Sequence, residues 1–235
     1  MVIQPFLAMT AAEIRENSNI PEKIAWMACH FSPYGTGLSN LPRTLPAGSL
    51  LMVDDVTPIR GHDPQVILDQ LGNCAEAFSC SGILLDFQRP DIDETAALVK
   101  VLTQGLPCPV AVSCVYGNAG SFPICLPPVP PSESLQEHFA HWKSREVWLE
   151  LALDAMEITV TENGSSFISL PCPPHFEAGF RDEELCCHYR CRQQEDAIEF
   201  LLWRTEEDLV NLLKQAEAFG VTIAVGLYQE LSYRK

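Results

Sequence analysis

The fold is decided by the stretch Ser81-Gly82-Ile83-Leu84-Leu85-Asp86-Phe87-Gln88, which is apolar and becomes polar only at its last positions. Side chains alternate between the two faces of a strand, so Asp86 and Gln88 share one face with Leu84. A carboxylate and an amide therefore leave this strand together at its carboxyl end. Ligands of parallel α/β folds bind at that end of the strands, so we expect Asp86 and Gln88 to lie in a site.

Strand-like and helix-like segments alternate through most of the chain. Helices are predicted after Asp63-Pro64, before Gly105, over 132–143 and between Thr205 and Gly220, from caps and helical spacing of apolar residues. In the helix before Gly105, Asp91 and Asp93 are possible caps, and Leu98, Val101 and Leu102 are predicted to share the buried face. Besides 81–88, parallel-type strands are predicted over 23–31, 49–55, 109–115, 146–151 and 221–227. About six such strands alternating with helices predict an α/β fold of the (β/α)8 TIM-barrel type, either closed or with fewer strands than eight.

Two regions depart from this alternation. The segment 157–170 contains Glu162-Asn163-Gly164 between two strand-like runs, 158–161 and 166–168, which is typical of a hairpin, and a second hairpin is predicted from 185–191 and 197–203. We therefore expect antiparallel insertions in the C-terminal half. The Gly- and Pro-rich segment 117–131 is predicted to be a long loop.

Length and charge restrict the class of protein. The chain has 235 residues, of which 47% are hydrophobic, and this size suits one α/β barrel, so we expect a single domain over residues 1–235. The net charge of −16 argues against nucleic acid and anionic membrane surfaces as partners. Residues 1–10 lack the features of a signal peptide and no long apolar run follows, which predicts a cytoplasmic protein.

The ten cysteines are scattered, and several lie in strand-like runs, so buried free thiols are expected rather than a disulfide framework. The cluster over 186–191 contains three cysteines and His188, but no second group of ligands completes a zinc set. The sequence also lacks a glycine-rich phosphate loop. We therefore predict neither a metal nor another cofactor.

The octapeptide at 81–88 resembles the D-G-x-D-x-D-x-E signature of glycoside hydrolase family 18, the chitinase-like barrels. Gly82 and Asp86 match, whereas Ser81, Leu84 and Gln88 replace two aspartates and the glutamate. The segment 197–208, with the following helix and 220–228, is similar to the end of spore-type family 18 proteins, with Tyr228 where these have tryptophan. The resemblance covers about half of the chain.

The resemblance implies an enzyme that hydrolyses β-1,4 bonds of N-acetylglucosamine polymers by substrate assistance. The motif glutamate would be the general acid, and the aspartate two residues earlier, here Asp86, would support the acetamido group. The amide of Gln88 has no proton that titrates near neutral pH. Because loss of a general acid removes about 10² to 10⁴ in rate, chitinase chemistry at Gln88 is expected to be absent or very slow.

Two hypotheses use these residues. In the first, the barrel binds a carbohydrate of N-acetylglucosamine type, with hydrogen bonds to Asp86 and Gln88 and a pyranose ring stacked on Tyr116 or Tyr228. In the second, an active hydrolase uses a relocated acid, with Asp54 or Asp55 acting together with Asp86 at glycosidase-like separations of roughly 5–9 Å.

Two further interpretations remain open. The Pro-rich segment 122–131 would suit a non-catalytic barrel that binds other proteins. Alternatively, the acidic residues have no ligand: Asp86 caps the following loop, and Asp54-Asp55 are solvated turn residues before Thr57-Pro58.

Overall fold

The computed structural model describes residues 3, 5–89, 93–171 and 179–231. In chain order its strands are β1 (Phe6–Met9), β2 (Ile24–Phe31), β3 (Leu38–Ser39), β4 (Leu50–Asp54), β5 (Gly82–Asp86), β6 (Val110–Ser113), β7 (Ile124–Leu126), β8 (Val147–Leu151), β9 (Asp154–Thr161), β10 (Gly164–Pro171), β11 (Phe180–Asp182), β12 (Cys187–Gln193), β13 (Ala197–Trp203) and β14 (Val221–Leu227). The α-helices are α1 (Ala11–Glu16), α2 (Pro64–Ala77), α3 (Asp93–Gly105), α4 (Leu135–His138), α5 (Glu206–Ala216) and α6 (Tyr228–Leu231).

Eight parallel strands of the described chain form a closed barrel. Their order around the ring is β1, β2, β4, β5, β6, β7, β8 and β14, and β14 pairs in parallel with β1, which also pairs with β2. The short strand β3 lies outside the ring, antiparallel to β2. The predicted TIM-type barrel is therefore confirmed, in its closed form.

The predicted helix boundaries follow local chemistry where a cap is present. Asp63 accepts a hydrogen bond from the Gln65 backbone N–H, with Pro64 as the first residue of α2. Thr205 and Asp208 form a capping box at the start of α5, and Gly220 adopts positive φ after the short 3₁₀ turn Glu217–Phe219. The helices after these caps lie where the sequence predicts them.

The barrel interior is filled by one apolar cluster. A single cluster that draws members from all eight strands must lie inside the ring, since side chains of the opposite face meet the helices. Its core members are Ala8, Ala25, Leu50, Met52, Leu84, Ala111, Cys125, Trp148 and Val225. Several of them are alanines, which leaves room for the fully buried indole of Trp148. The interior is therefore a packed core, and a ligand has access only at its ends.

Gly82 is required by this packing. A Cβ at this position would lie 2.5 Å from Cη2 of Trp148 and 3.0 Å from the Pro109 carbonyl oxygen. We expect Gly82→Ala to lower the free energy of unfolding by about 1–3 kcal/mol through overpacking. Urea denaturation measures this effect, with Gly72→Ala in α2 as the control, because a Cβ at Gly72 meets nothing within 4 Å. Equal loss of stability in both variants would contradict the packing argument.

The segment 117–131 is not only a loop, and this part of the sequence prediction was wrong. It contains β7, a strand of the barrel, and its first residues belong to a 3₁₀ segment over Cys114–Ala119. β7 has three residues between Pro123 and Pro127, too few for alternation to be recognised. Pairing with β6 and β8 supplies its register. Together with the four-residue β1, it accounts for the difference between six predicted strands and eight observed.

Two helix predictions need correction in detail. Of 132–143, only α4 is α-helical. Phe139 follows the last residue of α4, and its buried ring stacks on the ring of Phe219, with 5.3 Å between the ring centroids. In α3, Val101 was placed on the buried face but is 37% exposed, whereas Leu98, Val99 and Leu102 are buried. The possible cap Asp91 lies outside the described residues.

The predicted antiparallel insertions form one five-stranded sheet between β8 and α5, in the order β10-β9-β13-β12-β11. Both predicted hairpins are confirmed, as β9 with β10 and β12 with β13. Three of its exposed apolar side chains, Phe167, Ile168 and Phe180, lie on the two edge strands. The sheet shares no strand with the barrel, so it is a separate sheet in this part of the structure.

Arg204 connects this sheet to the Pro-rich segment of the barrel. Its guanidinium is buried and donates hydrogen bonds to the carbonyl oxygens of Val129, Pro130, Leu185 and Cys186. The thiol of Cys187 also donates to the Pro131 carbonyl oxygen, with 3.5 Å between sulfur and oxygen. The end of the Pro-rich segment is therefore held in place by the inserted sheet.

Candidate functional site

Carboxylates follow the apolar interior at the carboxyl ends of three barrel strands. Asp54, Asp86 and Glu150 lie two residues after the interior side chains Met52, Leu84 and Trp148, respectively. Because side chains alternate along a strand, all three belong to the inward face. The barrel therefore presents acidic groups at one mouth, directly above its apolar core.

A cavity of about 180 Å³ lies at this mouth. Its apolar wall includes Met27, Met52 and Leu227, and its lining includes Pro128 from the Pro-rich segment. The carboxylates in its wall are Asp86 of β5, Glu150 of β8 and Glu230 of α6. The combination of apolar walls with a few convergent polar groups is typical of small-molecule sites.

Asp86 points into this cavity and is held by Gln88. The side-chain amide Nε2 of Gln88 donates a hydrogen bond of 2.5 Å to Oδ1 of Asp86, and Gln88 itself is exposed. Burial raises the pKa of Asp86, the hydrogen bond from Gln88 opposes this, and the charges of Asp54 and Asp55 raise the pKa further. The predicted pair of carboxylate and amide therefore lies together at the barrel mouth.

Asp54 and Asp55 have different environments. Asp54 is in register with Asp86 on the neighbouring strand, and its Oδ1 accepts a hydrogen bond from the Val56 N–H. Asp55 is buried, and its two oxygens accept hydrogen bonds of 3.0 and 2.9 Å from the backbone N–H groups of Gln88 and Arg89. Asp55 thus fixes the turn after β5, which places Gln88 beside Asp86.

The two tyrosines predicted to stack on a sugar lie elsewhere. Tyr116 is buried, packs edge-on against Phe87 in the core beneath the helices, and donates a hydrogen bond to the Arg89 carbonyl oxygen. The hydroxyl of Tyr228 donates to Oδ1 of Asn17 at 3.0 Å. Neither tyrosine lines the cavity, and the residue before Tyr228, Leu227, does so instead.

Glu150 is the site residue that the sequence reasoning missed. Burial raises its pKa from 4.5 to about 7, and the negative charge of Asp86 contributes to this increase. Its position resembles that of Asp86, since both are inward-facing carboxylates at the end of an apolar strand. The strand prediction over 146–151, with Trp148 and Glu150 on one face, contained the information needed to find it.

The cysteine-rich segment does not form a metal site in the described part of the chain. There, Nδ1 of His188 is hydrogen-bonded to Oδ2 of Asp208 at 2.8 Å, and the Cys187 thiol donates a hydrogen bond to the Pro131 carbonyl oxygen. No group of three or more His, Cys, Asp or Glu residues within the described ranges could hold a metal ion.

The fold and the site define a TIM-barrel protein with an acidic cavity at the carboxyl ends of its strands. No protein-family model matches the chain, and no curated protein sequence matches it. Solved structures do match. The glycoside hydrolase family 18 chitinase of Cycas revoluta, in complex with (GlcNAc)3, superposes with a TM-score of 0.60 at 9% identity, over 94% of each chain.

Two further structures have similar values. A chitinase of Chromobacterium violaceum has a TM-score of 0.58 at 9% identity, over 99% of this chain and 96% of its own. The spore cortex-lytic enzyme SleL of Bacillus cereus has a TM-score of 0.56 at 10% identity, over 95% of this chain and 70% of its own. The chain therefore has a family 18-like, chitinase-like barrel, which confirms the fold implied by the motif at 81–88.

A membrane-spanning helix is not found: in the described part of the chain, the helices are too short or too polar to cross a bilayer.

Proposed function

We propose that the protein binds a glycan of N-acetylglucosamine type at the barrel mouth, with weak or no chitinase-type hydrolysis at Gln88. The observation that carries this proposal is the inward-facing Asp86 carboxylate in the cavity, held by the Gln88 amide. Acceptor and donor groups next to each other can bind the hydroxyl and acetamido groups of a sugar. The common fold with a chitinase crystallised with (GlcNAc)3 supports the ligand class.

The cavity suits part of a glycan rather than a long stretch of it. Its volume of about 180 Å³ is below the roughly 300–1,000 Å³ of ordinary ligand pockets, so the remaining sugar units would extend into solvent. The walls at Met27, Met52 and Leu227 would contact the apolar face of the bound ring. These side chains replace Tyr116 and Tyr228 in the proposal, because the tyrosines lie outside the cavity.

Isothermal titration with (GlcNAc)4 tests the proposal. We expect saturable binding to the wild type, and a weakening of about tenfold or more in Asp86→Ala, because a hydrogen bond to a charged group contributes about 1.5–3 kcal/mol. The matched control is Asp69→Ala, which removes an exposed carboxylate from α2 and should bind as the wild type does. Absence of saturable binding to the wild type would contradict the proposed function.

A further inference from the structure

Glu150 and Asp86 approach the cavity from separate sides of the barrel. Around the ring, β8 and β5 are three positions apart, with β7 and β6 between them. Both side chains belong to the inward face, and both line the cavity. A ligand seated above the apolar core would therefore have one carboxyl group on each side.

We propose that Glu150 is a proton donor for cleavage of a glycosidic bond in this cavity, in the role that Gln88 cannot fill. The inference rests on the proposed function, because it requires a glycan in the barrel mouth. It assigns hydrolysis to a strand that the motif resemblance does not involve.

The proposed step is a hydrolysis that consumes one water molecule. The bond between the anomeric carbon and the bridging oxygen breaks, its electron pair stays on the oxygen, and that oxygen takes the proton of Glu150. A water molecule forms the new bond to the anomeric carbon through its oxygen and releases one proton, which Asp86 accepts. Exchange with solvent then returns both carboxyl groups to their starting protonation.

The contacts of the other acidic residues favour Glu150 for this role. Both oxygens of Asp55 are bound to backbone N–H groups, and Oδ1 of Asp54 is bound to the Val56 N–H. In the described part of the chain, by contrast, no hydrogen bond or ion pair involves the Glu150 carboxyl group. Glu150 is thus available to a ligand.

The electrostatic surroundings support a protonated Glu150 near neutral pH. Burial and the charge of Asp86 raise its pKa to about 7, within the range that suits a general acid. Glu230 shares the cavity. Burial raises the pKa values of the nearby Cys114 and Cys125 thiols, and the charge of Glu150 raises them further. Both thiols are therefore protonated near neutral pH, so the negative charge that favours the uncharged form of Glu150 is that of Asp86.

The test compares binding with cleavage in the same protein. For Glu150→Gln, we expect cleavage of (GlcNAc)4 to fall by about 10² to 10⁴, with its affinity by titration calorimetry changed by less than about threefold. A dinitrophenyl chitobioside should be affected much less, because its leaving group needs little protonation. Wild-type cleavage should decline above about pH 7, and this decline should be absent in Glu150→Gln.

Two variants accompany Glu150→Gln. Glu146→Gln changes a glutamate just before β8, whose Oε1 accepts hydrogen bonds from Trp148 Nε1 and Thr222 Oγ1. Glu146 does not line the cavity, so this variant should leave cleavage unchanged. Glu150→Asp keeps an acid at the site and should retain part of the activity. If Glu150→Gln does not fold, Glu150→Asp still tests the proposal. Its cleavage rate should be lower than that of the wild type, because the carboxyl group is set back by the shorter side chain, and it should still depend on pH.

The outcomes separate the two proposals. Binding without cleavage by the wild type, or cleavage that Glu150→Gln retains in full, would overturn the role of Glu150 and leave the proposed binding function intact. No binding to the wild type would overturn the proposed function itself. Binding with cleavage that depends on Glu150 supports both.

Discussion

Arg204→Met should lower the free energy of unfolding by roughly 3–5 kcal/mol. Arg204 is 1% exposed and donates hydrogen bonds to four backbone carbonyl groups, two in the Pro-rich segment and two before β12. Each hydrogen bond from a charged group contributes about 1.5–3 kcal/mol to stability. The variant also no longer has a buried charge, and the desolvation cost that is thereby removed offsets part of the stability lost with the four hydrogen bonds. Urea denaturation, followed by circular dichroism, measures the change.

Two variants show whether the hydrogen bonds of Arg204 cause this effect. Arg204→Lys keeps the charge, but an ammonium group cannot reach carbonyls on opposite sides as the planar guanidinium does, so it should recover only part of the stability. Arg192→Met changes an exposed arginine of β12 and should alter stability by less than about 0.5 kcal/mol. Equal stability of Arg204→Met and the wild type would show that the inserted sheet is not held in this way.

Glu150→Gln should make the protein more stable at pH 8, by up to roughly 3 kcal/mol. Burial and Asp86 raise the pKa of Glu150 from 4.5 to about 7, and one pKa unit corresponds to about 1.4 kcal/mol. Between these two values, the folded protein keeps a proton that the unfolded chain has released. Wild-type stability therefore falls as the pH rises from about 4.5 to about 7, and the loss is complete above 7.

Urea denaturation from pH 5 to 8.5, above the isoelectric point of about 4.6, measures this dependence without any ligand. The difference between Glu150→Gln and the wild type should be largest at pH 8 and shrink towards pH 5. Glu162→Gln, which removes an exposed carboxylate between β9 and β10, should follow the wild-type curve. A constant difference across this range would mean that Glu150 is ionised in the folded protein well below pH 7.

The parts of the fold that follow from short-range rules were predictable. Alternation along 83–87 and apolar runs at 147–151 and 221–227 are properties of single strands. The caps at Asp63 and Thr205 are contacts within three residues. The cause of each of these patterns lies within a single segment of the chain, so the pattern can be recognised in the sequence of that segment alone.

The predictions that failed depend on contacts between distant segments. β7 is a strand because β6 and β8 pair with it on both sides, and its three residues carry no period of their own. The helix predicted over 132–143 ends early where Phe139 packs against Phe219, eighty residues away in sequence. Tyr116 was placed at the site from its position after a strand, but its ring fills the core next to Phe87.

The sequence by itself determined that Asp86 and Gln88 leave one strand on the same face, at the end where parallel folds bind ligands. It also determined the barrel class, from the alternation of segments and from Gly82 in its motif. Only the tertiary structure decided that this face is the inward one and that Glu150 joins Asp86 at the cavity. Closure of the ring sets which strand ends converge, and a pKa depends on the burial and charges that this convergence creates.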